Sequence, residues 1–406
     1  MPPHGEPVAR RVLVFEPDAE GHSQEWLRHL IEFAAAGRDR PSISIAAPPS
    51  ICRALADTCP AEILGRVKLR PLSERELRWC TDRRLSVAAF ARWWTMRRHL
   101  QDSGAEQGFF LSIDLLALPL ALGLRAGGRT LSGILFRPSV HYRDFGSHHR
   151  GVGERLRDLR KAILYRLMLR NPALGRVLSL DPFFPAHAAA YANGHKVEAL
   201  PDPAHPAVID RVAVAGNDNN AVPQGRIAFL LFGYLTERKG PLVVLEALER
   251  LPPLVASRIA VLMAGRVDPA LQPRIDERRR RLASLRPELW LGIDDRRLGD
   301  DELEGLVERS DVVLAPYQRF VGSSGVLLWA ARAGRPVLAQ QYGLVGHLTR
   351  EHRLGLAVDS SDPAAVAAAI TQMAQLGPSS FLDLASAQAF AASQTPQRFA
   401  ASVLAA

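Results

Sequence analysis

The chain has 406 residues, 47% of them hydrophobic and 7% aromatic, an ordinary globular composition at a length that exceeds one typical domain and supports two cores. Its formal net charge of +9 gives a surface field that attracts anions such as nucleotide diphosphates, acidic lipid headgroups or nucleic acid. The three cysteines, Cys52, Cys59 and Cys80, contain no C-x-x-C pair and cannot all pair within the chain, which argues against a disulfide framework and fits a reducing cytoplasm.

Residues 1–11 carry Pro and charge but lack the apolar run of a signal peptide, so secretion is not expected. RVLVF at 11–15 reads as a first strand, followed by a polar loop at 16–22 and by Trp26, Leu27, Leu30, Ile31 and Phe33 at helical spacing. Further strand-like runs fall at 42–47, 67–69, 109–113, 133–136 and 177–180. The most apolar stretch, 109–124, is interrupted by Asp114 and Pro119 and is short for a bilayer span, so it reads as core.

From 153 to 177, the apolar Leu156, Leu159, Ile163, Leu164, Leu167 and Met168 alternate with Arg155, Arg157, Arg160, Lys161, Arg166 and Arg170. This cationic amphipathic stretch reads either as a core-facing helix with a solvated basic side or as a helix resting on an anionic membrane, with the core-facing reading preferred.

Residues 201–225 are dense in Pro, Asn, Asp and Gly, which is linker chemistry. The strand and helix pattern then restarts. It predicts strands at 226–232, 259–263, 311–315 and 336–339 and helices at 241–251, 301–310, 325–333 and 363–376, with weaker helical character at 397–406. The expected organisation is an acceptor-side Rossmann-like domain at 1–205, a linker at 206–224, a donor-binding Rossmann-like domain at 225–380, and a C-terminal helical segment at 381–406 packing back on the first domain. Two doubly wound α/β domains bind ligands at the carboxyl ends of their strands, which predicts a site in the cleft between them.

Three segments carry a specific pattern: FLLFGYLTERKGPLVVLEAL at 229–248, DDELEGLVERSDVVLAPY at 300–317 and WAARAGRPVLA at 329–339, followed by GLVGHL. They resemble the family-4, or group 1, glycosyltransferases, and the similarity covers most of 226–370. In the first half the resemblance is one of outline, through the loop at 19–23, PSVHYRD at 138–144 and VLSLD at 177–181. It implies an α/β GT-B fold with two Rossmann-like domains facing an interdomain cleft. It also implies a hexosyltransferase-like enzyme of glycan biosynthesis, moving sugar from a nucleotide sugar to a glycan or lipid-linked acceptor with retention. The expected location is the cytoplasm, peripheral to the inner membrane face if the basic helix docks there.

A nucleotide diphosphate is a hydrated anion, and binding it requires cationic side chains or convergent N–H groups. The resemblance makes Lys239 the diphosphate contact, with Arg238 beside it and Gly233 in the turn after the strand. Gly322, Ser323, Ser324 and Gly325 precede a predicted helix and read either as an anion cradle of small residues and hydroxyls or as an ordinary Ser cap. Lys239 and this cradle would stabilise the leaving group without a metal or any other cofactor, and the sequence has no H-E-x-x-H or C-x-x-C ligand pattern. Asp294, Asp295, Asp300 and Asp301 read as loop or helix-start acids.

On the acceptor side the resemblance assigns His141, and an imidazole there can hydrogen-bond a reacting hydroxyl or the transferred sugar. Gly21 and His22 sit in the first loop, with the histidine read as incidental or as a ligand contact, and Arg137 and Arg143 read either as a clamp for an anionic acceptor or as ordinary surface arginines. The sequence departs from the family at three points: Val321 and Trp329 stand where it carries two glutamates, and Tyr234 stands where it carries an arginine. Loss of the carboxylates bears on donor choice and leaves open a non-catalytic module that binds nucleotide or glycan. Nucleic-acid binding rests on charge alone, with no helix-turn-helix or zinc-finger signature.

Overall fold

A computed structural model of the chain describes residues 10–19, 23–37, 40–136, 138–145, 152–203 and 222–405. The chain divides into two compact units: residues 1–141, 150–203 and 395–406 form unit 1, and residues 142–149 and 204–394 form unit 2. The 206–224 linker segment lies almost wholly outside the described residues.

Unit 1 holds a 7-stranded parallel sheet made of β1 (Arg11–Phe15), β2 (Ser42–Ala47), β3 (Val67–Pro71), β4 (Gln107–Phe110), β5 (Thr130–Leu135), β6 (Leu174–Ser179) and β7 (Val197–Ala199). Its order is β3-β2-β1-β4-β5-β6-β7, so the chain winds outward from β1 first to one side and then to the other. Successive residues face opposite sides of a strand, and the core divides accordingly. Leu13 and Phe110 pack with Trp93, Met96 and Leu135 on one face, while Val12 and Phe109 pack with Trp26, Ile45 and Leu178 on the other. Burial on both faces explains why these strands read as near-continuous apolar runs rather than alternating ones.

Unit 2 repeats the plan with β8 (Ile227–Phe232), β9 (Ile259–Ala264), β10 (Trp290–Asp294), β11 (Val312–Ala315), β12 (Val337–Gln340) and β13 (Gly355–Val358). All pairings are parallel and the order is β10-β9-β8-β11-β12-β13. The helices Pro241–Glu249, Gln272–Leu285 and Pro363–Leu376 supply Leu245, Leu248, Ile275, Ile370 and Met373 to the core beneath it.

Three differences from the sequence reading stand out. The strands β7, β10 and β13 are short or mixed (VEA, WLGID, GLAV) and carry no usable periodicity. The basic stretch at 153–177 is not one helix: the helix Val152–Leu169 ends and β6 begins at Leu174. Asn171 makes that break, its side-chain amide donating to the Leu120 and Leu124 carbonyls while its own oxygen accepts from Ala173 N. The C-terminal segment divides in two, with Leu384–Ser393 packing on the helix Val326–Arg332 and Pro396–Leu404 packing in unit 1 on the helix Ser23–Ala35.

Candidate functional site

In both sheets the winding reverses at a central pair of strands, β1 and β4 in unit 1 and β8 and β11 in unit 2, and the crevice outside their carboxyl ends is where such sheets bind ligands. In unit 2 the chain leaves β8 through Gly233, makes a 3₁₀ turn at Glu237–Lys239 and enters the helix Pro241–Glu249, whose proline fits a first turn that lacks hydrogen-bond partners. It leaves β11 through Pro316 and Tyr317 toward Ser323 and Ser324. Gln318 N donates to the Arg238 carbonyl at 2.8 Å, which ties the two loops together.

That tie brings the two sequence-predicted donor segments into one network. Lys239 Nζ donates to Tyr317 Oη at 3.0 Å, and Tyr317 Oη is 2.7 Å from Ser324 Oγ. An ammonium can only donate, so the phenol oxygen accepts from Lys239 and exchanges its second bond with the serine. Tyr317 is buried and firmly set: its carbonyl accepts from Ser360 Oγ at 2.8 Å and Tyr342 Oη at 3.2 Å. Burial pushes the Tyr342 phenol up from its ordinary range, which keeps it a neutral donor. Sequence reasoning quoted Tyr317 at the end of a strand motif but gave it no role, and no spacing rule shows that its hydroxyl joins Lys239 to Ser324.

Glycines permit this close packing. Gly233 adopts φ 99°, and a Cβ there would lie 3.3 Å from Lys239 Nζ; Gly240 adopts φ 79°, and its Cβ would lie 2.3 Å from the Pro316 carbonyl oxygen. Arg238 is exposed, with its guanidinium 4.8 Å from the centre of the Phe320 ring. Ser323 is half-buried, and Gly325 is exposed at the start of the helix Val326–Arg332.

At the divergent positions the site is aromatic and apolar. Trp329 packs 6.0 Å from Phe232, centre to centre, with the Arg332 guanidinium 5.6 Å from its ring. Val321 is half-buried and its carbonyl accepts from Leu344 N at 3.0 Å. Tyr234 is exposed. Arg319 takes φ 50°, an uncommon conformation for a side-chain-bearing residue, and its N–H donates to Tyr342 Oη at 2.7 Å. Asp300 and Asp301 occupy the first turn of the helix Asp300–Arg309 and Asp295, in the loop after β10, accepts from Val267 N at 2.8 Å, as expected of helix-start and loop acids; Asp294 instead closes β10 and pairs with Arg296 at 3.0 Å.

The carboxyl edge of unit 1 is built differently. His141 is buried, its Nδ1 is 2.9 Å from the Pro138 carbonyl and its Nε2 is 2.9 Å from Asp181 Oδ2, at the carboxyl end of β6. Asp181 also accepts from Phe183 N at 2.9 Å, and Phe184 and His187 flank the imidazole. At the end of β1, Glu16 is buried and accepts from Asp18 N at 2.8 Å; burial pushes its carboxyl up to about 8, so it is mostly neutral near pH 7. Asp18 takes two bonds from the buried Arg92, at 2.7 and 2.9 Å. The sequence reading missed Glu16, Arg92 and Asp181. Gly21, His22, Arg137 and the side chain of Arg143 lie outside the described residues.

Among the described residues no cluster of three His, Cys, Asp or Glu side chains is arranged to hold a metal ion, and no helix is long and apolar enough to cross a membrane. All three cysteines are free and buried.

Two parallel doubly wound sheets with a cationic crevice on the second define a protein of the GT-B class. Residues 226–375 match the family model of the glycosyl transferases group 1, a resemblance confined to the second half of the chain. Solved structures agree in fold over almost the whole length. WaaG, a glycosyltransferase involved in lipopolysaccharide biosynthesis, is 16% identical with a TM-score of 0.62, covering 98% of this chain and 100% of its own. A glycosyltransferase from Rickettsia africae is 13% identical with a TM-score of 0.67, covering 98% and 99%. HepE of Anabaena in complex with UDP is 15% identical with a TM-score of 0.61, covering 97% of each chain. No curated protein matches the chain in sequence.

Proposed function

We propose that the chain transfers a hexose from a nucleotide-diphosphate sugar to a glycan or lipid-linked acceptor, with retention and without a metal ion or other cofactor. The observation that carries this reading is the Lys239, Tyr317 and Ser324 network at the crevice of the group 1 domain. As the bond from the sugar to the diphosphate breaks, negative charge grows on the leaving oxygens. Lys239 meets that charge, Tyr317 fixes where the ammonium points, and Ser323, Ser324 and Gly325 add small donors beside it. Gly233 leaves room for the lysine, and Arg238 adds a second, exposed cation. The complexes of HepE with UDP and with UDP-glucose support a nucleoside diphosphate sugar as the donor class.

On the acceptor side the reading places Gly21, His22, Arg137 and Arg143 against the acceptor. His141 works as a positioning residue there, because both its ring nitrogens already face protein oxygens. Calorimetric titration with a panel of nucleotide sugars, followed by transfer and hydrolysis assays, tests the proposal: tight binding of one donor with turnover is expected, and absence of binding by folded protein overturns it. Trp329 and Val321 favour a second reading, a non-catalytic nucleotide- or glycan-binding module. Binding with neither hydrolysis nor transfer selects that one.

A further inference from the structure

The helix Val152–Leu169 has two apolar faces. Tyr165, Met168 and Leu169 are buried in the core of unit 1, together with Asp158, which accepts from Ser139 Oγ at 3.0 Å. On the opposite side Leu156, Leu159, Ile163 and Leu167 are 67%, 54%, 47% and 41% exposed. At 3.6 residues per turn these four fall in a single row, about one per turn, directed away from the core. The sequence reading preferred a core-facing apolar side with a solvated basic side. The structure turns this row of leucines and isoleucine outward instead, because Asp158, Tyr165, Met168 and Leu169 already fill the inner face.

Arginines border the row. Arg155 and Arg166 lie along one flank, Arg160 along the other and Arg170 follows at the end, all exposed. The helix Ala117–Ala121 packs alongside and is followed by Leu122, 64% exposed. Four exposed apolar residues in one row leave a helix face with no partner among the described residues. A row rimmed by guanidinium groups matches a surface that is apolar in depth and anionic at its rim, which is the layering of an acidic bilayer. A soluble protein partner would have to supply both an apolar groove and acidic walls, and double-stranded nucleic acid offers phosphates but nothing for the leucines.

We propose that this face of unit 1 docks on anionic lipid bilayers, seating Leu156, Leu159, Ile163 and Leu167 at the headgroup and acyl boundary while the flanking arginines meet the headgroup phosphates. The proposal is independent of the glycosyltransferase reading, since its readout is partitioning rather than turnover.

The test is flotation of the full chain with phosphatidylcholine vesicles and with vesicles containing phosphatidylglycerol. Binding to the anionic vesicles alone, weakened by salt, is expected. The double variant Leu159→Ser and Ile163→Ser is expected to lose about tenfold or more in partitioning while keeping its melting temperature, because both residues are exposed. If that pair melts early, Leu156→Ser with Leu167→Ser provides the same readout at other turns. Charge reversal by Arg155→Glu with Arg160→Glu is expected to weaken binding and flatten the salt dependence. The proposal is overturned if the wild type fails to float, if serine variants with wild-type melting float as well as the wild type, or if the row instead drives a concentration-dependent dimer that those variants abolish. Binding to a duplex DNA fragment that is lost in the arginine variant and kept in the leucine variant, without flotation of the wild type, also overturns it.

Discussion

The two sheets share one winding scheme, yet their carboxyl edges handle charge in opposite ways. In unit 1 the ionisable groups answer one another: the buried Arg92 holds the half-buried Asp18, the buried Asp181 faces His141, and Glu16 is kept mostly neutral by burial. In unit 2 the half-buried Lys239 is held by neutral hydroxyls, those of Tyr317 and through it Ser324. A cation bonded only to neutral groups keeps its charge for an incoming anion, whereas an ion pair is already compensated. The same topology thus yields one edge whose ionisable groups answer one another and one whose lysine bonds to hydroxyls.

The comparison is sharpest in pH dependence. The Glu16 carboxyl titrates near 8 in the folded protein against 4.5 for an unperturbed glutamate, so the native state binds the extra proton between those values. Stability from this group is therefore fully present at low pH and is lost as pH rises from about 4.5 through 8, by up to about 5 kcal/mol. Glu16→Gln is expected to flatten that slope in urea unfolding measured from pH 5 to about 8.5; a slope identical to wild type would show that Glu16 does not carry it.

Next in size, Asp181→Ala leaves His141 facing an empty position and is expected to cost about 3 to 5 kcal/mol in chemical denaturation. If unit 1's edge is a scaffold, this loss lowers stability without changing donor affinity in the protein that remains folded. Lys239→Ala is expected to do the reverse, lowering kcat/KM for the nucleotide sugar by about a hundredfold or more with little change in melting temperature. Equal stability losses from Asp181→Ala and Lys239→Ala would erase the contrast between the two edges.

Tyr317→Phe keeps the ring and removes both hydroxyl bonds, with an expected loss of about tenfold in kcat/KM. A double-mutant cycle with Ser324→Ala should show strong coupling, because both changes break the same network. Additive effects would mean that Tyr317 does not relay the serine to the lysine.

Much of unit 2 was legible because local signals agree there. RIAFLLF is an apolar run closed by Gly233, and Lys239 precedes a Gly-Pro helix start. WLGID and GLAV escaped because strands this short, with glycine and mixed polarity, carry no distinct period. The loop bearing His141 was placed correctly at a strand end, but its partner Asp181 lies across the β5 and β6 pairing, and sequence offers no signal for which side chains meet over such a gap. Glu16 opened a stretch read only as a polar loop; the packing around β1 reveals how little water reaches it.

The helix Pro396–Leu404 has a consequence for the order of assembly. Phe399 fills the core of unit 1 with its ring centre 5.0 Å from that of Trp26, and the guanidinium groups of Arg10 and Arg176 hold the Ala405 and Ser402 carbonyls at 3.3 and 3.0 Å. Ribosomal synthesis delivers these residues only after all of unit 2, so the unit begun first must wait for the ribosome to finish its partner before its own interior can close. Truncation ahead of Thr395 should consequently leave the early half of the chain a lasting client of chaperones while the later half matures unaided.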